Sequence, residues 1–331
     1  MSSTSSSQPP KITILGSLNI DLVSYVPHHP LPGETLTATR LLTSPGGKGA
    51  NQAVACSKLS HSHQSSSSSS SATATATATI SMVGAVGSDS YGDLLKSNLA
   101  SYLVDTSSVV ALPAPAKTGL AVIIVDEPTG QNRIILSGEA NHLVAGDEYV
   151  GRALDGADLL IMQLEIPLPT VLEALGRAKQ RGVRVLLNPA PAQRLPLEAY
   201  DGLAHLVVNE TEAAILGEVD ERDLDTVEGL EKVGKKFLGL GVENVVITLG
   251  GRGVYYLNKE GRGGLVEAEK GVKVVDTTAA GDTFVGRYAL DVVGKGAFDI
   301  EAAVRKANKA AAVTVQRAGA QDSIPWRDEV E

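Results

Sequence analysis

Four short apolar runs recur between residues 158 and 249: DLLIMQ (158–163), VRVLLN (183–188), HLVVN (205–209) and NVVITL (244–249). The stretch LPTVLEALGRAKQRG fills the first gap, with apolar residues three and four apart, the spacing of an amphipathic helix. Strand, helix, strand repeated in this way leaves few solutions. It predicts an α/β fold with a doubly wound, mostly parallel sheet flanked by helices. Ligands of such sheets sit outside the carboxyl ends of the strands, so the polar residues just after each run are the candidates for chemistry. The composition agrees. Of the 331 residues 43% are hydrophobic but only 4% aromatic, so the core must be built from Val, Leu, Ile and Ala, and 34 glycines suit many strand–loop–helix turns.

The amino-terminal half is less regular. KITILG reads as a first strand, GANQAVACSKL as a helix and TISMVGAVG as a strand. Segments 22–45 and 118–137 carry short β-like runs with turns, including PGETLTATRLLTS and GLAVIIV. They are expected to form a small antiparallel β sheet standing off the main domain, either a lid or an elaborate loop. Residues 1–10 read as a disordered Ser-rich tail. Residues 61–79, HSHQSSSSSSSATATATAT, read as a low-complexity loop insertion, and His61 and His63 as part of a solvated loop rather than a metal pair.

Formal net charge is −9, with no basic stripe, so no nucleic-acid partner is expected. No apolar run approaches the roughly 20 residues of a membrane span, and the amino terminus has no signal-like apolar stretch. Cys56 is the single cysteine, so no internal disulfide can form. These features suggest a soluble intracellular protein, cytoplasmic and with the nucleus as a second compartment.

Polar residues follow each strand-like run: Asn19 and Asp21 in GSLNID, Glu165 in QLEIP, the turn NPAPA, Asn209 and Glu212 in NETEA, the glycines of TLGGRG, and Asp276 after KVV. Each one alone could be a helix cap, and NETEA also has the offset of a capping box. Six such clusters at one end of one sheet point to a site. PGGKGANQA is neither a G-x-x-x-x-G-K-[ST] loop nor a G-x-G-x-x-G loop. Its glycines would still let backbone N–H groups approach a polar ligand, and Lys48 and Asn51 add donors. In VVDTTAAGDTFVG (274–286) the run between Asp276 and Asp282 lacks bulk. A helix starting near Gly281 would offer N–H groups to an anion, with the Asp282 carboxylate beside them. That arrangement suits phosphoryl transfer, where positioning and charge neutralisation do most of the work.

Taken in order, GSLNID, PGGKGANQA, QLEIP, NPAPA, NETEA, TLGGRG, DTTAAGDTF and RAGAQDSIPW resemble the ribokinase/PfkB family of carbohydrate kinases, and within it the ribokinases, over residues 14–326. The resemblance implies one ribokinase-like domain over 11–327, an antiparallel lid and ATP-dependent phosphorylation of D-ribose at O5. It implies that Asn19, Asp21, Gly47, Lys48, Asn51 and Glu165 bind the sugar with Asp282, which is also the base, and that Gly281 belongs to the anion hole. Asn209, Thr248, Gly250, Gly251, Arg252, Gly253, Gly281 and Asn308 would contact ATP. Glu212 would act on Mg²⁺ indirectly. Asp276, Thr278, Thr314, Arg317, Gly319 and Ser323 would form a K⁺ site, several through backbone carbonyls. A homodimer joined through the lids is also implied. Val285 and Arg287 depart from the common pattern, where Asn and Ala are frequent. The remaining alternatives are a sister kinase for another sugar or a nucleoside, a catalytically dead sugar-binding regulator, and a dinucleotide-dependent oxidoreductase. The last would need a G-x-G-x-x-G where GSLNID stands.

Overall fold

The structure, a computed structural model, describes residues 8–62 and 76–331. Residues 1–7 of the expected tail and 63–75 of the insertion, His63 among them, lie outside the described residues. The chain opens with β1 (Lys11–Leu15), β2 (Asn19–Val26) and β3 (Arg40–Gly46), followed by helix α1 (Lys48–Ser60). Next come β4 (Thr79–Gly87), α2 (Ser90–Ser101), β5 (Asp105–Leu112), β6 (Gly119–Asp126) and β7 (Asn132–Ser137). The regular half follows as α3 (Asp147–Leu154), β8 (Leu159–Met162), α4 (Leu168–Arg181), β9 (Arg184–Leu187), β10 (His205–Asn209), α5 (Glu210–Gly217), α6 (Val227–Gly239) and β11 (Asn244–Thr248). It closes with β12 (Val254–Asn258), β13 (Gly263–Val266), α7 (Ala280–Val292) and α8 (Ile300–Thr314).

Among the described residues nine strands form the main sheet in the order β13-β12-β11-β10-β9-β8-β1-β4-β5. It is parallel from β5 to β11, and β12 and β13 finish it as antiparallel strands. Parallel strands are buried on both faces, which is why they read as continuous apolar runs. Successive side chains alternate between two cores. Ile12, Ile14, Leu159 and Ile161 point into one with α1, α2, α7 and α8. Leu15, Leu160 and Met162 point into the other with α3 to α6. Each fully buried aliphatic or aromatic side chain contributes roughly 1.5–3 kcal/mol, so the two layers hold the strand ends rigidly.

From β1 the chain winds outward to β4 and β5, then crosses to β8 and winds the other way. The loops after β1 and β8 therefore diverge, leaving the crevice that doubly wound sheets use for ligands. Helices α1 and α7 pack across this crevice at very close range. A Cβ on Gly286 would lie 2.5 Å from the Ala55 Cβ and 2.8 Å from the Cys56 nitrogen, so only glycine allows the approach. Behind α7, Tyr288 stacks on Phe284 and its hydroxyl lies 3.0 Å from His205 Nδ1.

The second sheet has the order β3-β2-β6-β7 and contains both stretches that broke the helix–strand alternation. Its outer pairs are antiparallel and its central seam, β2 with β6, is parallel. Residues 27–39 of the first stretch form no strand. The segment KVV before Asp276 is not a strand either: Val274 is 61% and Val275 is 55% exposed. Among the described residues no strand pairs with it. Instead the N–H groups of Val275 and Asp276 both donate to the Val315 carbonyl.

Candidate active site

The crevice is assembled from glycine contacts. Gly47 adopts φ 89°, and a Cβ there would lie 2.7 Å from the Asn19 nitrogen; on Gly49 it would lie 2.5 Å from the Ser17 nitrogen. This lets the start of α1 sit directly on the loop after β1. Three N–H groups at the start of α1 are taken by the protein. Lys48 N–H donates to Glu165 Oε2 (3.1 Å), Gly49 N–H to Ser17 Oγ (3.3 Å) and Ala50 N–H to the Ser17 carbonyl (2.9 Å). Ser17 Oγ in turn donates to Glu165 Oε2 at 2.6 Å. Glu165, from the loop after β8, is thereby tied to both β1 and α1.

Asp282 lies in the first turn of α7 and is 8% exposed. The turn before it is strained: Ala279 stands at φ 60°, a left-handed conformation that costs an L-residue roughly 1–2 kcal/mol. Ala280 N–H donates to the Thr277 carbonyl and Thr283 N–H to Ala279. The N–H groups of Gly281 and Asp282 are left without intrahelical partners, at the wall of a cavity of about 220 Å³. Both carboxylate oxygens of Asp282 are held from α1. Asn51 Nδ2 donates to Oδ2 at 3.1 Å and Gln52 Nε2 to Oδ1 at 2.9 Å.

Facing Asp282 across the crevice are Asp21 on β2, Glu165 and Lys48. Burial, and then the carboxylates of Glu165 and Asp282, push the Asp21 carboxyl up to about 7. Gly46 makes room for that group, since a Cβ there would lie 2.2 Å from Asp21 Oδ2. Burial alone would lower Lys48, but Asp282, Glu165 and Glu212 outweigh it and hold the ammonium above its ordinary range. Asn19 is fixed by Asn141, whose Nδ2 donates to Asn19 Oδ1 at 2.7 Å and whose Oδ1 accepts from Leu18 N–H at 2.9 Å.

The cavity continues from Asp282 past Thr277 and Val285 to Thr248, Asn209 and Glu212 at the ends of β11 and β10. Asn209 caps α5 in a reciprocal box with Glu212. Burial raises the Glu212 carboxyl despite the Asn209 N–H and the nearby Lys48. The other candidates from TLGGRG and α8 lie off this wall. Arg252 pairs with Glu210 and donates to the Leu224 carbonyl, Asn308 donates to the Glu267 carbonyl at 3.0 Å, and Gly250, Gly251 and Gly253 form the tight turn between β11 and β12. A Cβ on Gly253 would lie 2.0 Å from the Val266 carbonyl.

Asp276, Thr278 and Gly319 come together: Asp276 Oδ1 accepts from Thr278 N–H and Oγ–H, and Oδ2 accepts from Gly319 N–H at 2.9 Å. Thr314 donates to Thr283 Oγ1, Ser323 to the Ala320 carbonyl and Arg317 to Glu329. Arg287, one of the two departures, pairs with Asp291 on its own helix, while Val285 lines the cavity. Sequence reasoning missed Ser17, Gln52, Asn141, Gln163, Asn188 and Gln321 around the site. Ser17, Gln52, Gln163, Asn188 and Gln321 stand inside motifs it had singled out, and that was the available signal.

A family model described as pfkB family carbohydrate kinase matches residues 9–327. A ribokinase of Schizosaccharomyces pombe is 42% identical over 327 residues, covering 97% of this chain and 96% of the relative. Among solved structures, ribokinase from Thermotoga maritima superposes with a TM-score of 0.82 at 38% identity, covering 97% of this chain and 98% of the other. Ribokinase of Arabidopsis thaliana, solved with ribose and ATP, superposes with a TM-score of 0.84 at 30% identity over 98% of each chain.

Proposed function

The chain belongs to the pfkB family of carbohydrate kinases, and from that premise we propose that it transfers the γ-phosphate of ATP to O5 of D-ribose, giving D-ribose 5-phosphate and ADP. The observation that carries this reading is Asp282. It is a buried carboxylate in the first turn of a helix, held through both oxygens and facing two further carboxylates and a lysine. Asn19, Asp21, Gly47, Lys48, Asn51 and Glu165 bind the sugar, with carboxylates and amides suited to hydroxyl groups. Asp282 accepts the O5 proton as O5 forms its bond to the γ-phosphorus. The bond to the β–γ bridging oxygen breaks, and ADP leaves with that electron pair. The transition state is loose and the proton leaves late, so a carboxylate suffices as the acceptor. The N–H groups at Gly281 and the positive end of α7 stabilise the charge on the transferring group. Asn209, Thr248, Gly250 to Gly253 and Asn308 hold the nucleotide.

Among the described residues no three or more His, Cys, Asp or Glu side chains cluster as a metal site. That suits Mg²⁺, which keeps its waters and phosphate oxygens. Glu212 would hold it indirectly, and it would neutralise phosphate charge. K⁺ would be held where the loop of Asp276 and Thr278 meets Thr314, Arg317, Gly319 and Ser323. Its charge would support the anion hole.

The lid sheet covers the sugar and joins two copies of the chain. Residues paired in register share a face, so Asp21, Val23, Ile123 and Ile134 lie on one side and Leu22, Val122 and Ile135 on the other. Ile134 is 58% and Ile135 is 61% exposed, which leaves apolar surface on both sides for a second lid to cover. The protein acts as a single kinase domain in the cytoplasm; no helix among the described residues is long and apolar enough to cross a membrane.

The test is ATP consumption over a panel of pentoses, hexoses and nucleosides, with K⁺ and Na⁺ compared. Ribose should be turned over fastest, and faster in K⁺. Fructose or adenosine turned over as fast as ribose would refute the substrate assignment.

A further inference from the structure

Four amide side chains from the singled-out motifs have no role in the chemistry just described: Gln52 of GGKGANQA, Gln163 of QLEIP, Asn188 of NPAPA and Gln321 of GAQDS. Of these only Gln52 bonds to Asp282; Gln163 and Asn188 bond to Gln52, and Gln321 bonds to Asn51, the other amide on the base. An ionised carboxylate only accepts hydrogen bonds, whereas an amide presents a donor on one side and an acceptor on the other. Asn51 and Gln52 therefore hold the base only if each turns its nitrogen toward it, and something must set that direction.

For Gln52 the direction traces to the backbone. The Val207 carbonyl can only accept, and Asn188 Nδ2 donates to it at 2.9 Å. Asn188 Oδ1 then faces Gln52 and accepts from its Nε2 at 3.0 Å. On the other side Gln163 Nε2 donates to Gln52 Oε1 at 2.6 Å. Both neighbours impose the same sense, so Gln52 Nε2 points at Asp282 Oδ1. Gln163 is 1% exposed and its own Oε1 has no partner. A buried unpaired acceptor is unfavourable, so the orientation of Gln163 serves the chain rather than its own hydrogen bonding.

Asn51 is set from the opposite side of the molecule. Its Oδ1 accepts from Gln321 Nε2 at 3.0 Å, and Gln321 Oε1 accepts from Asn98 Nδ2 at 2.6 Å. The Gln321 carbonyl is itself held by Lys58 Nζ at 3.3 Å, and that ammonium lies over the rings of Tyr102 and Trp326. The loop that closes the chain is thereby pinned to α1 beside the base.

We propose that Gln52 and Gln321 are positioning residues for phosphoryl transfer: two chains of side-chain amides, one from the strand ends and one from the carboxy-terminal loop, fix which atoms face Asp282 and so hold its carboxylate in one orientation. This rests on the reading of Asp282 as the base. Gln321 touches neither the base nor the cavity and acts only through Asn51. Its removal frees Asn51 to turn its oxygen toward a carboxylate, and a carboxylate in its place forces that turn.

The experiment compares steady-state kinetics and thermal midpoints of Gln52→Met, Gln321→Met and Gln321→Glu with the wild type. It uses whichever sugar the wild type turns over fastest, so that failure of the ribose assignment appears as a different preferred sugar and not as an effect of the variants. Misplacement of a reacting group by about 1 Å can cost up to about a hundredfold. The two Met variants should lower kcat by about tenfold or more with the KM for ATP within about twofold of wild type. Gln321→Glu, nearly equal in size, should lower kcat further than Gln321→Met and by more than any change in its thermal midpoint accounts for. Packing alone would give the reverse order. Should Gln52→Met not fold, the Gln321 pair tests the same claim from the rim of the site. Wild-type kcat in both Gln321 variants, or a loss of kcat only in step with lost stability, would overturn the proposal. A wild type inactive on every sugar would overturn it together with the reading of the site.

Discussion

The two ends of the sugar crevice are built on opposite principles. On the α1–α7 side the carboxylate is fixed within the chain: both oxygens of Asp282 accept amide hydrogens, and the helices meet so closely that Gly286 cannot carry a side chain. On the lid side β3 and β7 have open edges, and Leu41, Ile134 and Ile135 stand more than half exposed. The first arrangement fixes the carboxylate of the proposed base by hydrogen bonds from its own chain. The second leaves apolar surface and unpaired strand edges, liabilities that a second copy would remove. One side is made to stay still, and the other to be covered.

The comparison is broken most severely at the base itself. Asp282→Asn keeps the shape of the site but removes the proton acceptor, and should lower kcat by about 10²–10⁴ while sugar binding, read by calorimetry, changes little. Gly286→Val attacks the helix contact instead. Overpacking costs about 1–3 kcal/mol, so the thermal midpoint should fall by several degrees. The activity that remains should also be reduced, because α1 carries Asn51 and Gln52 away from α7. Normal stability with normal turnover would show that the close approach is dispensable.

The lid should respond differently. Val122→Glu combined with Ile124→Glu places charge on the face shared with Ile135 and Leu41. Association, followed by sedimentation, should weaken, and the KM for sugar should rise severalfold while kcat stays near wild type. A monomeric double variant with unchanged KM would separate the lid from sugar binding. The smallest effect is a pH dependence at the junction of the two regions. Asp21 sits at the root of the lid, where burial and then the carboxylates of Glu165 and Asp282 push its carboxyl up to about 7. Where it must accept a sugar hydroxyl it has to release its proton, so the KM for sugar should rise as pH falls below 7, by at most about tenfold per pH unit. In Asp21→Asn that dependence should vanish.

Much of this was legible in the sequence. The parallel sheet announced itself because strands buried on both faces are written as unbroken apolar runs. Asp282, Lys48 and Asn51 stood in motifs specific enough to mark a site. Other parts failed for identifiable reasons. KVV has the residues of a strand but no neighbour to pair with, and its N–H groups go to Val315. At the start of α1 the N–H groups of Lys48, Gly49 and Ala50 go to Glu165 and Ser17, partners that only the meeting of the loops after β1 and β8 brings there. The amide chains were invisible because their partners are 111 to 270 residues apart, and nothing in Gln or Asn by itself says which way it will turn. The parallel seam of the lid joins strands β2 and β6 across the whole β4–α2–β5 unit, so no local hairpin signal foretells it.

The most direct test of the central claim is the position of the phosphate. Ribose labelled with ¹³C at C5 and incubated with Mg·ATP and the protein should give a product whose C5 signal is split by coupling to phosphorus, with one ADP formed for each sugar consumed. A product phosphorylated at another carbon, or ADP formed without any phosphosugar, would contradict the account.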